Sequence, residues 1–200
     1  MMITVTESAK MSAKASSQIQ RGQRAIALML AAVAGAAVMV VELGVARILT
    51  PVFGGSIAVW ALVIATTMLA LAAGYMFGGR RADLKGGIHV AQRAAIFGAL
   101  LCASIPLVRR PLIELTIDLS TLTGAAISAV VHIAPSLFFL SQVSPALIRG
   151  LSSGEAGHVG GTAGGVYAVS TMGSLVGTLA AVWVLLYTPL GVAFIGTCLL

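Results

Sequence analysis

The 200 residues are 58% hydrophobic and only 9% charged, whereas an ordinary soluble domain carries roughly 25% charged residues. This composition excludes a soluble globular domain and indicates a membrane protein. The net charge of +6 lies in short segments between apolar runs, which is typical of membrane orientation and unlike the continuous basic stripe of a nucleic-acid interface. We therefore expect the lipid bilayer as a partner and no nucleic acid.

The amino-terminal segment differs in character from the rest of the chain. Residues 1–23 are polar and poor in bulky apolar side chains, which predicts a flexible cytoplasmic tail. Residues 24–200 are predicted to form one transmembrane helical domain. The first apolar run, residues 25–49, is about twice as long as the apolar region of a signal peptide, so a retained membrane helix is expected.

Four further spans follow the first, and the predicted fold is an all-α polytopic membrane helix bundle. Pro51, Gly54 and Gly55 predict the turn after the first span. Pro106 is expected to break the third span near its end. The later spans are predicted at residues 57–77, 91–108, 124–143 and 162–187.

Two segments do not fit a full span. Residues 112–122 match both a helical and an alternating apolar pattern, and because an unpaired strand is costly beside a bilayer, an interfacial helix is favoured. Residues 189–200 form only about 18 Å of helix at 1.5 Å per residue, which predicts either a short, incomplete sixth span or a half-buried stub.

The distribution of Lys and Arg predicts a cytoplasmic amino terminus. With that topology the outer loops hold only Arg109 and Arg110, and nine against two is a clear positive-inside bias. The nine on the cytoplasmic side are Lys10, Lys14, Arg21, Arg24, Arg80, Arg81, Lys85, Arg93 and Arg149.

Polar side chains inside the apolar runs are the candidate functional residues. Glu42 should be paired or water-facing, because a carboxylate at membrane depth is costly. Residue counts place Glu42, His132, Thr66, Thr67 and Thr178 roughly 10–15 Å from the outer surface. We predict that Glu42 and His132 meet in a small polar cavity lined by the threonines. The alternative is that these groups only fix the packing of the helices.

Arg47 is a further candidate for an outward-facing site. It follows Glu42 by five residues, about 140° around a helix at 100° per residue, so the two are poor partners within one helix. Its side chain can instead extend to the outer interface.

The fifth span carries two stripes of small residues at a spacing of four. Such stripes allow close helix packing, within the chain or between two copies. Their members are Gly173 with Gly177, and Ser170 with Ser174 and Thr178.

No catalytic, cofactor or metal site is predicted. Cys102 and Cys198 lie in apolar runs without a CxxC or His-spaced partner. The 200 residues also hold no glycine fingerprint on a strand and leave no room for a nucleotide-binding Rossmann domain. Catalysis by this chain is therefore not expected.

Two separated blocks of sequence carry a family resemblance over residues 35–191. The first is ELGVARILTPVFGGSIAVW at 42–60 followed by GYMFGGRRAD at 74–83. The second is SPALIR at 144–149 followed by GGVYAVSTMGSLVGT at 164–178. Together they resemble the membrane domain of the fused major-facilitator/spermidine-synthase-like proteins of bacteria.

The resemblance implies a half-major-facilitator-like bundle in the bacterial inner membrane. It implies a free-standing membrane module that serves as an accessory or partner subunit of a membrane assembly or soluble enzyme. The alternative is a half-size transporter that works as a homodimer on polyamine-like or other small solutes. Because a polycation carrier needs more than one acidic group at membrane depth and only Glu42 qualifies, the accessory role is favoured.

Overall fold

The computed structural model describes residues 2–152 and 159–187, and this part of the chain is helical without strands. The expected all-α fold is thereby confirmed. The elements are α1 (Met2–Phe53), α2 (Ile57–Lys85), α3 (Gly87–Thr116), α4 (Thr121–Ser141), α5 (Val143–Leu151) and α6 (Val159–Tyr187).

Five helical segments are long and apolar enough to cross a membrane. Each has 25 to 33 residues, above the roughly 20 that a bilayer crossing requires. They are Arg21–Phe53, Ile57–Lys85, Gly87–Thr116, Thr121–Leu151 and Val159–Trp183. The fourth combines α4 and α5, which are separated only at Gln142. The predicted sixth segment, residues 189–200, lies outside the described residues.

The helix of the first span extends towards the amino terminus as far as Met2. Its backbone runs without a break from the polar segment into the apolar span. The division of the chain at residue 23 into a flexible tail and a membrane domain stays a prediction.

The connections between helices are shorter than expected. The predicted loop at 78–90 is helical except at Gly86, which has φ of +86° and links α2 directly to α3. The predicted break at Pro106 is wrong, because α3 continues through Pro106 and Pro111 to Thr116. Membrane helices tolerate proline where neighbouring groups and local adjustments satisfy the freed carbonyls.

The predicted interfacial helix at 112–122 is also wrong. Its first half is the last turn of α3, and a turn at 117–119 follows. Ser120 then accepts a hydrogen bond from the backbone N–H of Thr123 and begins α4 as an N-cap. The spacing of apolar residues does not reveal this cap, because an N-cap is defined by the side-chain hydrogen bond of a polar residue.

The helices form one bundle with α4 at its centre, against α1, α2 and α3, while α6 packs on α1. The largest core residues are fully buried, among them Val41 and Leu49 of α1, Val63 of α2, and Ile133 and Leu137 of α4. One end of the bundle holds the α2–α3 turn at Gly86, and we call this end the α2–α3 face. The opposite α1–α2 face holds the turns at 54–56 and 117–120.

Glycine allows α2 to approach α4 very closely. A Cβ on Gly74 would overlap the Ser141 hydroxyl, and one on Gly78 would lie 2.7 Å from the Cα of Gln142. The residue numbers of the contacts increase together along both helices, so α2 and α4 are parallel. Backbone atoms cannot move aside as a side chain can, so this approach depends on the missing Cβ atoms.

Gly78→Ala should therefore destabilise the protein, because the added methyl group meets the backbone of α4. Overpacking of this kind costs about 1–3 kcal/mol. The matched control is Gly79→Ala on the same helix, where a Cβ would meet nothing within 4 Å. Thermal unfolding in detergent should show a lower midpoint for Gly78→Ala alone, and equal midpoints for the two variants would contradict the close approach.

Candidate functional site

Glu42 lies on α1 at membrane depth. It precedes Phe53, the last residue of α1, by eleven residues, or about 16 Å at 1.5 Å per residue. Its side chain is half-buried, although Val41 and Val45 beside it are fully buried. Among the described residues no hydrogen bond or ion pair to its carboxylate is present.

His132 is buried in α4, with 2% of its surface exposed. Its Nδ1 lies 2.7 Å from the backbone carbonyl oxygen of Ser128. Because a carbonyl oxygen only accepts, Nδ1 carries the proton and donates it, which leaves Nε2 of the neutral ring as an acceptor. Within the described part of the chain this buried Nε2 has no hydrogen-bond partner.

The three threonines are placed differently from one another. Thr66 and Thr67 are buried in α2, and the Oγ1 of Thr67 has no partner among the residues described. Thr178 is half-buried in α6, where its Oγ1 donates to the carbonyl oxygen of Ser174 at 2.8 Å. The Thr178 hydroxyl is therefore satisfied within its own helix, whereas the Thr67 hydroxyl is not.

The structure gathers some of these polar residues in the central core and leaves others apart. Val63 and Ala70, one turn on either side of Thr67, belong to the same apolar cluster as Ala129 and Ile133, which flank His132. No hydrogen bond in the described region joins Glu42 to His132. A single cavity shared by Glu42, His132 and the threonines stays a prediction.

The small-residue stripe of α6 packs against α1 of the same chain. A Cβ on Gly173 would overlap Ala32, and one on Gly177 would lie 2.5 Å from the Cα of Ala36. Ser174 donates to the Gly35 carbonyl oxygen at 3.0 Å and to that of Ser170 at 3.1 Å. This face is occupied within the chain and is not free for a second copy.

Arg47 lines an open cavity of about 440 Å³ on the α1–α2 face. Arg109, Arg110 and Glu114 of α3 line the same cavity, so three guanidinium groups and one carboxylate surround it. We call it the arginine cavity. Its excess of positive charge favours anions over cations.

The sequence interpretation missed the residues that join Arg47. Glu114 follows Arg110 by four residues, and this spacing places two side chains on one side of a helix. That signal was missed because the third span was predicted to be broken at Pro106 and to end at residue 108. The position of these residues at one cavity with Arg47 depends on the packing of α3 beside α1, which local sequence does not specify.

No group of three or more His, Cys, Asp or Glu side chains lies close enough to hold a metal ion in the described ranges. Comparison with known protein families, curated proteins and solved structures found no match. The bundle of long apolar helices, with polar groups enclosed at membrane depth, defines a multi-pass α-helical membrane protein.

Substitution of Thr67 tests whether a water molecule or solute binds its buried hydroxyl. Thr67→Val keeps the shape of the side chain and removes a buried polar group that has no partner among the described residues. Removal of such a group should raise the free energy of unfolding by about 1 kcal/mol. The control Thr178→Val removes a hydroxyl that is hydrogen-bonded to Ser174 and should not raise the free energy of unfolding. Chemical unfolding in detergent gives both values, and a loss of stability in Thr67→Val would reveal a bound water or solute.

Proposed function

We propose that this chain is an integral membrane module of the spermidine-synthase-like family that acts as an accessory or partner subunit, without catalysis of its own. The partner is another membrane protein or a soluble enzyme. The observation that carries the proposal is the half-buried carboxylate of Glu42, for which the described residues supply no partner.

The charge of Glu42 carries a free-energy cost in hydrocarbon. Insertion scales place an acidic residue at the centre of a membrane helix at about 2.5–3.5 kcal/mol, and such groups are usually paired or water-facing. Glu42 is incompletely enclosed by its own bundle. A second subunit with a hydrogen-bond donor or cation at this depth would relieve that cost and would also give the association its specificity.

The charge distribution supports a cytoplasmic amino terminus in a bacterial inner membrane. Five described cations lie around the α2–α3 turn and in α5, namely Arg80, Arg81, Lys85, Arg93 and Arg149. The α1–α2 face has Arg47, Arg109 and Arg110, together with the acidic Glu114 and Asp118. The larger number of Lys and Arg residues on the α2–α3 face, five against three, favours the cytoplasmic side for it.

Glu42→Gln tests the subunit proposal. The amide keeps the shape of the side chain and removes its charge, so the folded yield should remain normal while a stoichiometric partner is lost from material purified in mild detergent. Glu114→Gln is the matched control, because this carboxylate lies on the exposed α1–α2 face, and it should retain the partner.

The size of the complex in detergent and its subunit composition by mass spectrometry give the result. A wild-type chain that purifies with no second protein would contradict the proposal. So would a Glu42→Gln complex of unchanged composition.

A dimeric half-size transporter is the second candidate. The buried Nε2 of His132 and Oγ1 of Thr67 have no hydrogen-bond partner among the described residues. They favour the transporter, because such buried polar atoms are suited to a small polar solute. Under the subunit proposal, purified protein in vesicles should take up no labelled spermidine. Uptake that is abolished by His132→Leu at normal folded yield would replace the subunit proposal with the transporter.

A further inference from the structure

A second cavity opens at the α2–α3 face, where α2, α3 and α4 meet. Its volume is about 470 Å³. Arg81 and Lys85 near the end of α2 line one side, and His89 and Arg93 in the first turns of α3 line another. We call it the basic cavity, because two guanidinium groups, one ammonium group and one imidazole surround it and, among the described residues, no carboxylate lines it.

A buried amide holds one of these cations in place. Gln142, with 1% of its surface exposed, lies between α4 and α5 and also lines the cavity. Its Nε2 donates to the carbonyl oxygen of Phe138 at 3.0 Å, so its Oε1 is free to accept from Arg81 Nη1 at 3.4 Å. The guanidinium of Arg81 is thereby positioned at the cavity while most of its donors remain available.

Asp83, the acidic side chain that lies between Arg81 and Lys85 in the sequence, is engaged elsewhere. Asp83 accepts a hydrogen bond from Arg149 Nε at 2.8 Å in an ion pair between α2 and α5. Its charge is therefore directed towards Arg149 and not towards the basic cavity. The cluster of Arg81, Lys85 and Arg93 keeps its positive charge for an external anion.

One wall of the cavity is apolar and continues towards the hydrocarbon. Phe97 of α3 and Phe139 of α4 line it, with their ring centroids 5.5 Å apart. Ile96 and Leu100, beside Phe97 on α3, are more than half exposed on the outer surface of the bundle. A ligand that fills the cavity meets cations at the membrane surface and aromatic rings below them.

We propose that the basic cavity binds the headgroup of an anionic phospholipid, with the phosphate among Arg81, Lys85 and Arg93 and the glycerol and upper acyl chain against Phe97 and Phe139. Basic pockets between membrane helices are suited to acidic lipid headgroups. A free phosphate would use the cations but not the apolar wall. The amphipathic lining and the position at the bilayer surface select the lipid.

The wild-type protein provides the first test. In nanodiscs that contain phosphatidylglycerol and phosphatidylcholine in equal amounts, native mass spectrometry should find one phosphatidylglycerol retained per chain, with a preference of about tenfold over phosphatidylcholine. Absence of a preference overturns the proposal. Displacement of the lipid by inorganic phosphate or glycerol 3-phosphate at a comparable concentration overturns it in favour of a soluble anion.

Paired variants test whether the cavity itself is responsible. R81Q/K85Q/R93Q removes three positive charges from the cavity and should weaken phosphatidylglycerol retention about tenfold. The matched control R21Q/R24Q/R80Q removes three exposed arginines that do not line the cavity, and its retention should equal the wild type. Equal losses in both variants indicate diffuse surface attraction and overturn the proposal.

A milder variant keeps the test decisive if the triple variant does not fold. Lys85→Gln changes only an exposed side chain at the end of α2 and should weaken retention about threefold, as expected for part of the attraction that each cation contributes. Unchanged retention in Lys85→Gln, with the wild-type preference intact, overturns the assignment of the phosphate to this cluster.

Discussion

Close contact between helix backbones is the constraint on which this bundle depends. Lipid tails are as apolar as leucine, so the hydrophobic effect that assembles soluble proteins does not drive helices together within a bilayer. The main attraction left is dispersion between closely packed atoms, and it falls steeply with distance. Gly74 and Gly78 provide that proximity between α2 and α4, as Gly173 and Gly177 do between α6 and α1. Each contact joins two parallel helices that are not neighbours in sequence.

The contact between α2 and α4 also decides where polar groups are placed. Thr67 precedes Gly74 by seven residues, two helical turns, and so belongs to the same buried stripe of α2. Further along that stripe, Gly78 brings Gln142 against α2, which allows the Gln142 amide to reach Arg81. The burial of the Thr67 hydroxyl and the orientation of the Arg81 guanidinium both accompany this packing of α2 against α4.

Much of the fold could be predicted from the sequence, because hydropathy over a window of membrane thickness is a strong signal. The five spans were expected from it, and their existence does not depend on details of packing. The course of α3 through Pro106 and the end of α3 near Thr116 could not be predicted in this way. Whether a proline breaks a membrane helix depends on its neighbours in the bundle, and the start of α4 is set by the Ser120 cap.

The candidate site was less accessible to sequence reasoning. Depth along a helix can be counted, so the expected depths of His132 and Thr67 within their spans followed from residue number. The direction of a side chain around the bundle cannot be counted without knowledge of which helices are neighbours. For this reason the grouping of Arg47 with Arg109 and Arg110, and of Gln142 with Arg81, emerged only from the tertiary arrangement.

The single-residue link at Gly86 has a consequence for motion within the bundle. With φ of +86°, this position suits glycine, since a left-handed backbone costs other residues roughly 1–2 kcal/mol. A reversal of direction within one residue leaves no slack between α2 and α3. In the folded bundle the two helices are therefore coupled at this end, and a shift of α2 along its axis has to carry the start of α3 with it.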